Sequence, residues 1–319
     1  MIKRIAVLTS GGDAPGMNAA IRVCIRAGLY YGKEMYVVYD GYKGLVEGDI
    51  HQVTKDFTSD IMNRGGTVIK TSRLPEFKEP EVVAKAVQHL KDYEIDALIG
   101  IGGDGTYKGL LLLSKYGINV IGIPGTIDND VASSDETIGF STALNTICEC
   151  VDRIKDTSSS HQRCSVIEVM GRHCGDLAVF SSIAEAAEMT VTYDHPISEE
   201  ILFAKLRKIK SQKKSHAIVI VSENLLDVNE FAKRIEKETG FETKAEVLGR
   251  LQRGGSPTAE DRILAATMGN HAIELLNDGI AGRVIGKRDG KIVDYDIEEA
   301  LNMPRDIHKN LLKLIDVLQ

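Results

Sequence analysis

Two carboxylates two residues apart, Asp128 and Asp130, close the stretch Pro124-Gly-Thr-Ile-Asp-Asn-Asp130. The Thr126 hydroxyl stands beside them. Such a set can hold a metal, take a proton from a hydroxyl or bind sugar hydroxyls. Asp and Asn also make ordinary turns, so the stretch alone does not separate chemistry from a polar loop. The run before it, Asn119-Val-Ile-Gly-Ile123, is short and apolar, as a buried strand is. Pro124 and Gly125 punctuate its end. Ligands of open α/β sheets gather outside the carboxyl ends of the strands, where this loop falls.

Two more strand ends repeat the layout. Lys3 to Thr9 reads as a strand and runs into Ser10-Gly-Gly-Asp-Ala-Pro-Gly-Met-Asn18. A helix follows, with Ala19, Ala20, Val23 and Ala27 at helical spacing and Arg22 and Arg26 one turn apart. Ala97 to Ile101 reads as a buried strand leading into Gly102-Gly-Asp-Gly-Thr106 and a helix through Leu110 to Ser114. Backbone N–H groups of a glycine turn and a helix N-terminus attract phosphate. Asp104 adds a carboxylate able to hold Mg²⁺ directly or through water. The first turn has neither the spacing of the P-loop nor that of the dinucleotide fingerprint, and a glycine turn alone is also explained by tight backbone geometry. Together the three strand ends deliver Gly12, Asp104 and Asp128 in loops of one kind.

The second half supplies cations. Ser165 to Val169 reads as a strand before Met170-Gly-Arg-His-Cys-Gly-Asp176, and Ala217 to Val221 as one before Ser222-Glu223. Ala245 to Leu248 leads into Gly249-Arg-Leu-Gln-Arg-Gly-Gly-Ser-Pro257. Arg163, Arg172, Arg250 and Arg253 fall at strand ends or in loops. The planar guanidinium fork suits phosphate and carboxylate, although any single arginine is equally a surface charge. Carboxylates for metal and base, glycine turns for phosphates and arginines for an anion together point to phosphoryl transfer.

Positioning these groups requires alternating strands and helices. Met35 to Tyr39 and Val68 to Thr71 are further expected strands, with 40–55 loop-rich and Glu81 to Leu90 an amphipathic helix. A long helix is expected over Thr137 to Asp156, then a polar loop, Ser158 to Arg163. Thr190 to Thr192 is a short strand, and Ser198 caps a basic helix through Lys210. Val228 to Glu238 is a helix stopped by Gly240, Thr258 to Leu276 another, and a hairpin turns at Asp289-Gly290. The tail, Asp306 to Leu318, is amphipathic. The class is therefore α/β with parallel sheets, any domain boundary falling in the helix that begins near Thr137.

Length and composition agree with a globular protein of one large or two smaller domains: 319 residues, 43% hydrophobic and 27% charged. A net charge of −7 argues against nucleic-acid partners, and no run approaches a membrane span. The short apolar N-terminus reads as a first strand rather than a signal peptide. Five irregularly spaced cysteines form no disulfide or zinc pattern and read as reduced cytosolic thiols.

Five stretches in this order resemble bacterial ATP-dependent 6-phosphofructokinases: T-S-G-G-D-A-P-G-M-N from Thr9, G-G-D-G-T from Gly102, P-G-T-I-D-N-D from Pro124, M-G-R from Met170 and Q-R-G-G-S-P-T from Gln252. The resemblance runs nearly end to end. It implies a cytoplasmic homotetramer of chains with two Rossmann-like lobes and mainly parallel sheets. The ATP lobe would take 1–138 plus 252–305, and the sugar-phosphate lobe 139–251 plus 306–319. It implies transfer from ATP, with Mg²⁺, to the 1-hydroxyl of fructose 6-phosphate. Asp128 would be the general base, flanked by Thr126, Ile127 and Asp130. Gly12, Arg73, Leu74, Gly103, Asp104, Gly105 and Thr106 would hold ATP, Gly12 also serving catalysis and Asp104 organising the metal. Arg172 would stabilise the transferring group. Met170, Gly171, Glu223, Leu251 and Gln252 would shape the sugar site. Arg163, Lys244, Arg250 and Arg253 would surround the 6-phosphate, two of them from a neighbouring subunit.

A second anion site, for ADP or phosphoenolpyruvate, would match Arg22, Arg26, Lys155, Ala186, Glu188, Gln212 and Lys214. The chain departs from the family pattern at several positions. Arg250 stands for a usual His, Lys244 and Lys155 for Arg, Gln212 for a cation, and Ser222-Glu223-Asn224 for A-E-G. Glu185-Ala186 stands for Gly-Gly. A kinase for another sugar phosphate and a weakly active regulatory subunit are the alternative readings.

Overall fold

The computed structural model describes residues 2–305 and 307–318. In chain order the elements are β1 (Arg4–Thr9), α1 (Met17–Tyr30), β2 (Glu34–Val38), α2 (Gly41–Glu47), β3 (Ile50–Val53), α3 (Pro80–Asp92), β4 (Ala97–Gly102), α4 (Asp104–Lys115) and β5 (Asn119–Pro124). There follow α5 (Phe140–His161), β6 (Cys164–Val169), α6 (Asp176–Ala184), β7 (Met189–Val191), α7 (Glu199–Ser211), β8 (Ala217–Ser222), α8 (Val228–Thr239) and β9 (Thr243–Val247). The chain ends with α9 (Ala259–Asn277), β10 (Arg283–Arg288), β11 (Lys291–Asp296), α10 (Ile297–Asn302) and α11 (Lys309–Leu318).

The chain divides into two compact units. The first takes the chain up to Ile127, then Val131–Thr142 and Arg253–Arg305; the second takes Asp128–Asp130, Ala143–Gln252 and the chain after Arg305. The first unit holds a seven-stranded sheet in the order β11-β10-β5-β4-β1-β2-β3. Its middle is parallel, and its two edge strands, β3 and β11, run antiparallel to their neighbours. The inner strands are near-continuous apolar runs: Ile5, Val7, Leu8, Leu98, Ile99, Ile101, Val120, Ile121 and Ile123 are all wholly buried. That is the pattern of a sheet covered by helices on both faces. The second unit holds a four-stranded parallel sheet, β7-β8-β6-β9, with its own core around Val166, Val219, Leu206 and Phe231. Both sheets are mainly parallel, and the class is α/β.

Helix signals read from sequence hold where side chains cap amides. Ser198 Oγ accepts from Ile201 N and the Thr258 hydroxyl from Asp261 N, while Gly240 ends α8 at φ +65°. Elsewhere the structure corrects the sequence reading. The stretch after β2 is not loop-rich: it forms α2 and the hairpin strand β3, whose His51 and Gln52 are exposed, so no alternation of burial marks it. Val68 to Thr71 is no strand. Its Val68 N–H goes to the Asn18 side chain, and Lys70 turns left-handed at φ +58°. α5 begins three residues later than Thr137 and continues through Ser158 to His161, the expected loop, with the Ser160 hydroxyl donating back to Asp156 O. The expected tail helix is α11; Asp306, where the amphipathic pattern begins, lies outside the described residues.

Candidate active site

In the first unit β1, β4 and β5 are neighbours and end level with one another. Thr9 pairs with Ile101 and Gly102 with Pro124. Their loops are stitched together: Ser10 N donates to Ile101 O, Thr106 Oγ1 to Ser10 O, and Gly125 N to Gly102 O, each at 3.1 Å. Thr106 is therefore buried as a brace, and Tyr42 OH donates to its carbonyl at 2.5 Å. The Lys70–Arg73 segment is sewn to the first loop through Thr9 Oγ1 to Lys70 O (2.8 Å) and Thr71 Oγ1 to Gly11 O (3.0 Å). That sets Arg73, exposed, and Leu74, half-buried, beside the glycine turn.

Four glycines of these loops differ in their surroundings. A Cβ on Gly12 would meet the Arg253 guanidinium, with Nη1 at 2.5 Å, and the same nitrogen donates to Asp13 O at 3.2 Å. Around Gly103 and Gly105 no heavy atom lies within 4 Å of a built Cβ, so the N-terminus of α4 faces open space. Asp104 is exposed there, and its charge, after burial, helps to push the Tyr107 phenol well above its ordinary range. Gly125 is walled in instead: a Cβ would sit 2.9 Å from Ile101 Cγ2 and 3.2 Å from Met17 Cε. The loop beyond is held by Thr126 N to Ile138 O (3.1 Å) and Thr137 Oγ1 to Thr126 O (2.6 Å). Ile127 is wholly buried, so its side chain is core.

In the second unit the turn residues Asp128 and Asn129 are buried and Asp130 half-buried. β6 and β8 end level, Val169 pairing with Ser222, and the two loops meet. Arg172 N donates to Glu223 Oε1 at 2.9 Å, and Glu223 N to Val169 O at 2.8 Å. The M-G-R turn needs its glycine: Gly171 stands at φ +132°, with Cys174 O 2.5 Å from where a Cβ would be, and Arg172 itself is left-handed at φ +54°. Gln252 is wholly buried, accepting from Met170 N (3.0 Å) and donating to Gly249 O (2.9 Å). It braces the turn at Met170, while Leu251 next to it is exposed. Glu168, which the sequence reading passed over, is raised above its ordinary range by burial and by the charges of Glu223 and Asp227.

Within the second unit the cations stand at opposite ends of the strands. Arg163 precedes β6 and Lys244 opens β9, whereas Arg172 follows β6. Six residues of strand separate the two ends, roughly 20 Å at about 3.3 Å per residue. Arg163 and Lys244 share Glu242 Oε1, at 2.7 and 3.9 Å. Arg250 is exposed in a 3₁₀ turn, Gly249–Arg253, and Arg253 lies over Gly12 in the first unit.

The positions matched to a second anion site are also occupied from within. Lys155 pairs with the buried Glu185, and Lys214 with the buried Glu188, which also accepts from Ile218 N at 2.5 Å. Ala186 is left-handed at φ +48°, where the family pattern has glycine, and Gln212 is the exposed C-cap of α7. In the first unit Arg22 is half-buried, and Arg26 Nε donates to Thr58 Oγ1 at 2.8 Å.

Comparison with known proteins follows this geometry. The sequence pattern of the family described as Phosphofructokinase matches residues 4–276. The ATP-dependent 6-phosphofructokinase of Photobacterium profundum is 53% identical over 319 residues, 100% of each chain. That of Teredinibacter turnerae is 51% identical over 315 residues, 98% of each. Among solved structures, phosphofructokinase from Saccharomyces cerevisiae superposes with a TM-score of 0.88 at 32% identity, over 99% of this chain and 47% of the yeast chain. This chain thus spans about half of that yeast chain. A pyrophosphate-dependent phosphofructokinase from Marinobacter aquaeolei gives 0.86 at 19% identity, over 97% of this chain and 86% of that one, a likeness of fold alone. Matched by the family pattern and by full-length relatives at about half identity, the chain belongs to the phosphofructokinase family.

Proposed function

We infer that this chain transfers the terminal phosphoryl group of ATP to the 1-hydroxyl of fructose 6-phosphate, a step of glycolysis carried out in the cytoplasm. The observation that carries the reading is the level edge of β1, β4 and β5, where glycine backbones and one carboxylate open onto space at the start of α4. Backbone amides there suit a polyphosphate. Among the described residues no cluster of three or more His, Cys, Asp or Glu could hold a metal alone. Mg²⁺ commonly keeps water and takes one or two carboxylates plus substrate phosphates, so the exposed Asp104 carboxylate fits it. When bound, the ion would neutralise charge on the phosphates.

Asp128 accepts the proton of the 1-hydroxyl as that oxygen attacks phosphorus, and the bond to the bridging oxygen breaks to release ADP. Thr126 and Asp130 orient the hydroxyl, and the Arg172 guanidinium meets the charge on the phosphoryl group in flight. Met170, Gly171 and Glu223 flank the sugar, Glu223 already fixing the Arg172 amide. Arg250 and Arg253 of one chain, with Arg163 and Lys244 of a neighbour, hold the 6-phosphate in a homotetramer. The placement of Arg163 and Lys244 at the far end of their strands supports a role toward a neighbouring subunit. Lys155, Lys214, Arg22 and Arg26 contribute to a residual subunit-interface site for ADP or phosphoenolpyruvate, blunted by Glu185.

A coupled assay of the purified chain over a panel of sugar phosphates, with ATP and with pyrophosphate, tests this reading. Turnover with ATP and fructose 6-phosphate is the expected result. Turnover only with pyrophosphate, only with another sugar phosphate, or none at all would replace it.

A further inference from the structure

Asn129 stands between the two carboxylates of the Asp128-Asn-Asp130 turn at φ +52°, left-handed backbone that Asn tolerates better than most side chains. Its amide nitrogen donates to Asp176 Oδ2 at 2.8 Å, and its carbonyl accepts from Cys174 Sγ at 3.8 Å. Asp176 is the first residue of α6 and only 5% exposed. The same oxygen takes a second donor, His308 Nε2, at 3.1 Å. An ionised carboxylate only accepts, so the imidazole is held with a proton on Nε2. His308 lies just before α11, and its ring stands edge-on to Phe180 of α6, centroids 5.3 Å apart. Burying a carboxylate is costly unless its charge is met. Here two donors and a helix N-terminus meet it.

We propose that Asp176 and His308 are positioning residues for the Asp128–Asp130 turn. The C-terminal segment, through His308 and then Asp176, holds Asn129 in its left-handed conformation and so fixes where the flanking carboxylates stand. Neither residue is among those assigned to substrate, although Asp176 closes the loop that begins at Met170; each acts through Asn129. The inference rests on Asp128 being the base, so Asp128→Asn belongs in the same experiment.

Steady-state kinetics and thermal unfolding of full-length His308→Ala, His308→Gln and Asp176→Asn provide the test. His308→Ala should lower kcat on the order of tenfold, the scale of one lost hydrogen bond to a charged group, with KM for ATP within about twofold. His308→Gln keeps an N–H donor and should recover most of the rate. Asp176→Asn should lose at least as much as His308→Ala; where its unfolding curve shows a damaged fold, the two His308 variants decide. Unchanged kcat in folded His308→Ala and Asp176→Asn, with turnover lost in Asp128→Asn, would overturn this inference alone. An equal fall in His308→Gln and His308→Ala would also overturn it. Full turnover in Asp128→Asn would remove the base assignment, and this inference with it.

Discussion

Glu185→Gln removes the carboxylate that neutralises Lys155 and leaves an amide of the same shape. Glu185 is buried, and the Lys155 side chain is 23% exposed, so the pair is largely out of water. Such a pair is screened less than a surface one. A hydrogen bond to a charged group contributes about 1.5–3 kcal/mol, or roughly 10–150-fold in Kd at about 1.4 kcal/mol per decade. An anionic effector must break that pair or bind without Lys155. In the parent, titrating phosphoenolpyruvate or ADP at sub-saturating fructose 6-phosphate should leave the saturation curve nearly unmoved. In Glu185→Gln, calorimetry should show phosphoenolpyruvate binding at least about tenfold tighter. Cys148 supplies an independent reading on the same helix. Its thiol is pushed up to about 12, by burial first and then by the Glu185 charge and hydrogen bond. Removing that charge should lower it and speed alkylation at about pH 8.5. Faster alkylation with unchanged phosphoenolpyruvate affinity would remove Lys155 from the effector site. A strong sigmoidal shift in the parent at low phosphoenolpyruvate would refute the reasoning outright.

Gly105→Asp places a carboxylate in open space, so the melting temperature should hold while KM for ATP rises about tenfold or more; an unchanged KM would move the phosphates away from α4. Gly125→Lys meets Ile101 and Met17 and should instead cost about 1–3 kcal/mol of stability, read by denaturant unfolding; full stability would show that the wall yields freely. Arg250→Ala should raise KM for the sugar phosphate several-fold, with KM for ATP nearly constant, and an equal rise in both would place Arg250 elsewhere. Burial alone would raise the Asp294 carboxyl, but hydrogen bonds from Arg283 and His271 hold it below its ordinary value. Its stabilisation is therefore present above the unfolded value of about 3.9 and lost as pH falls through the folded one. Asp294→Asn should lower the melting temperature by about 2–4 °C at neutral pH, the gap closing in acid; a gap that persists in acid would show another cause.

The loops at the ends of β1 and β4 were legible because each joins an apolar run to glycine and then to a helix pattern. Glycine and proline punctuate such junctions whatever the tertiary context. β3 was not legible, since an edge strand with His51 and Gln52 outward shows no clean alternation. The separation of Arg163 from Arg172 was written in chain order, one before β6 and one after it. Reading both simply as loop cations merged two ends of one strand. Ile127 and Gln252 sit in stretches read as functional yet are wholly buried, which only packing reveals. The contact between Asp176 and His308 spans 132 residues and left no local signature.

The seven-stranded sheet also sets a schedule for synthesis. β5, Asn-Val-Ile-Gly-Ile-Pro, pairs on one side with β4, made just before it, and on the other with β10, through Arg283 to Ile121 and Val284 to Gly122. A ribosome adding about 5–20 residues per second takes roughly 10–30 s to cover the ~160 residues between them. Throughout that interval an apolar strand edge has no native neighbour, the kind of template on which chains aggregate. The hairpin of β10 and β11 closes that edge only after α9 has been made. Loss of the hairpin by a frameshift or nonsense codon before β10 would therefore yield sticky nascent chains, a burden on chaperones.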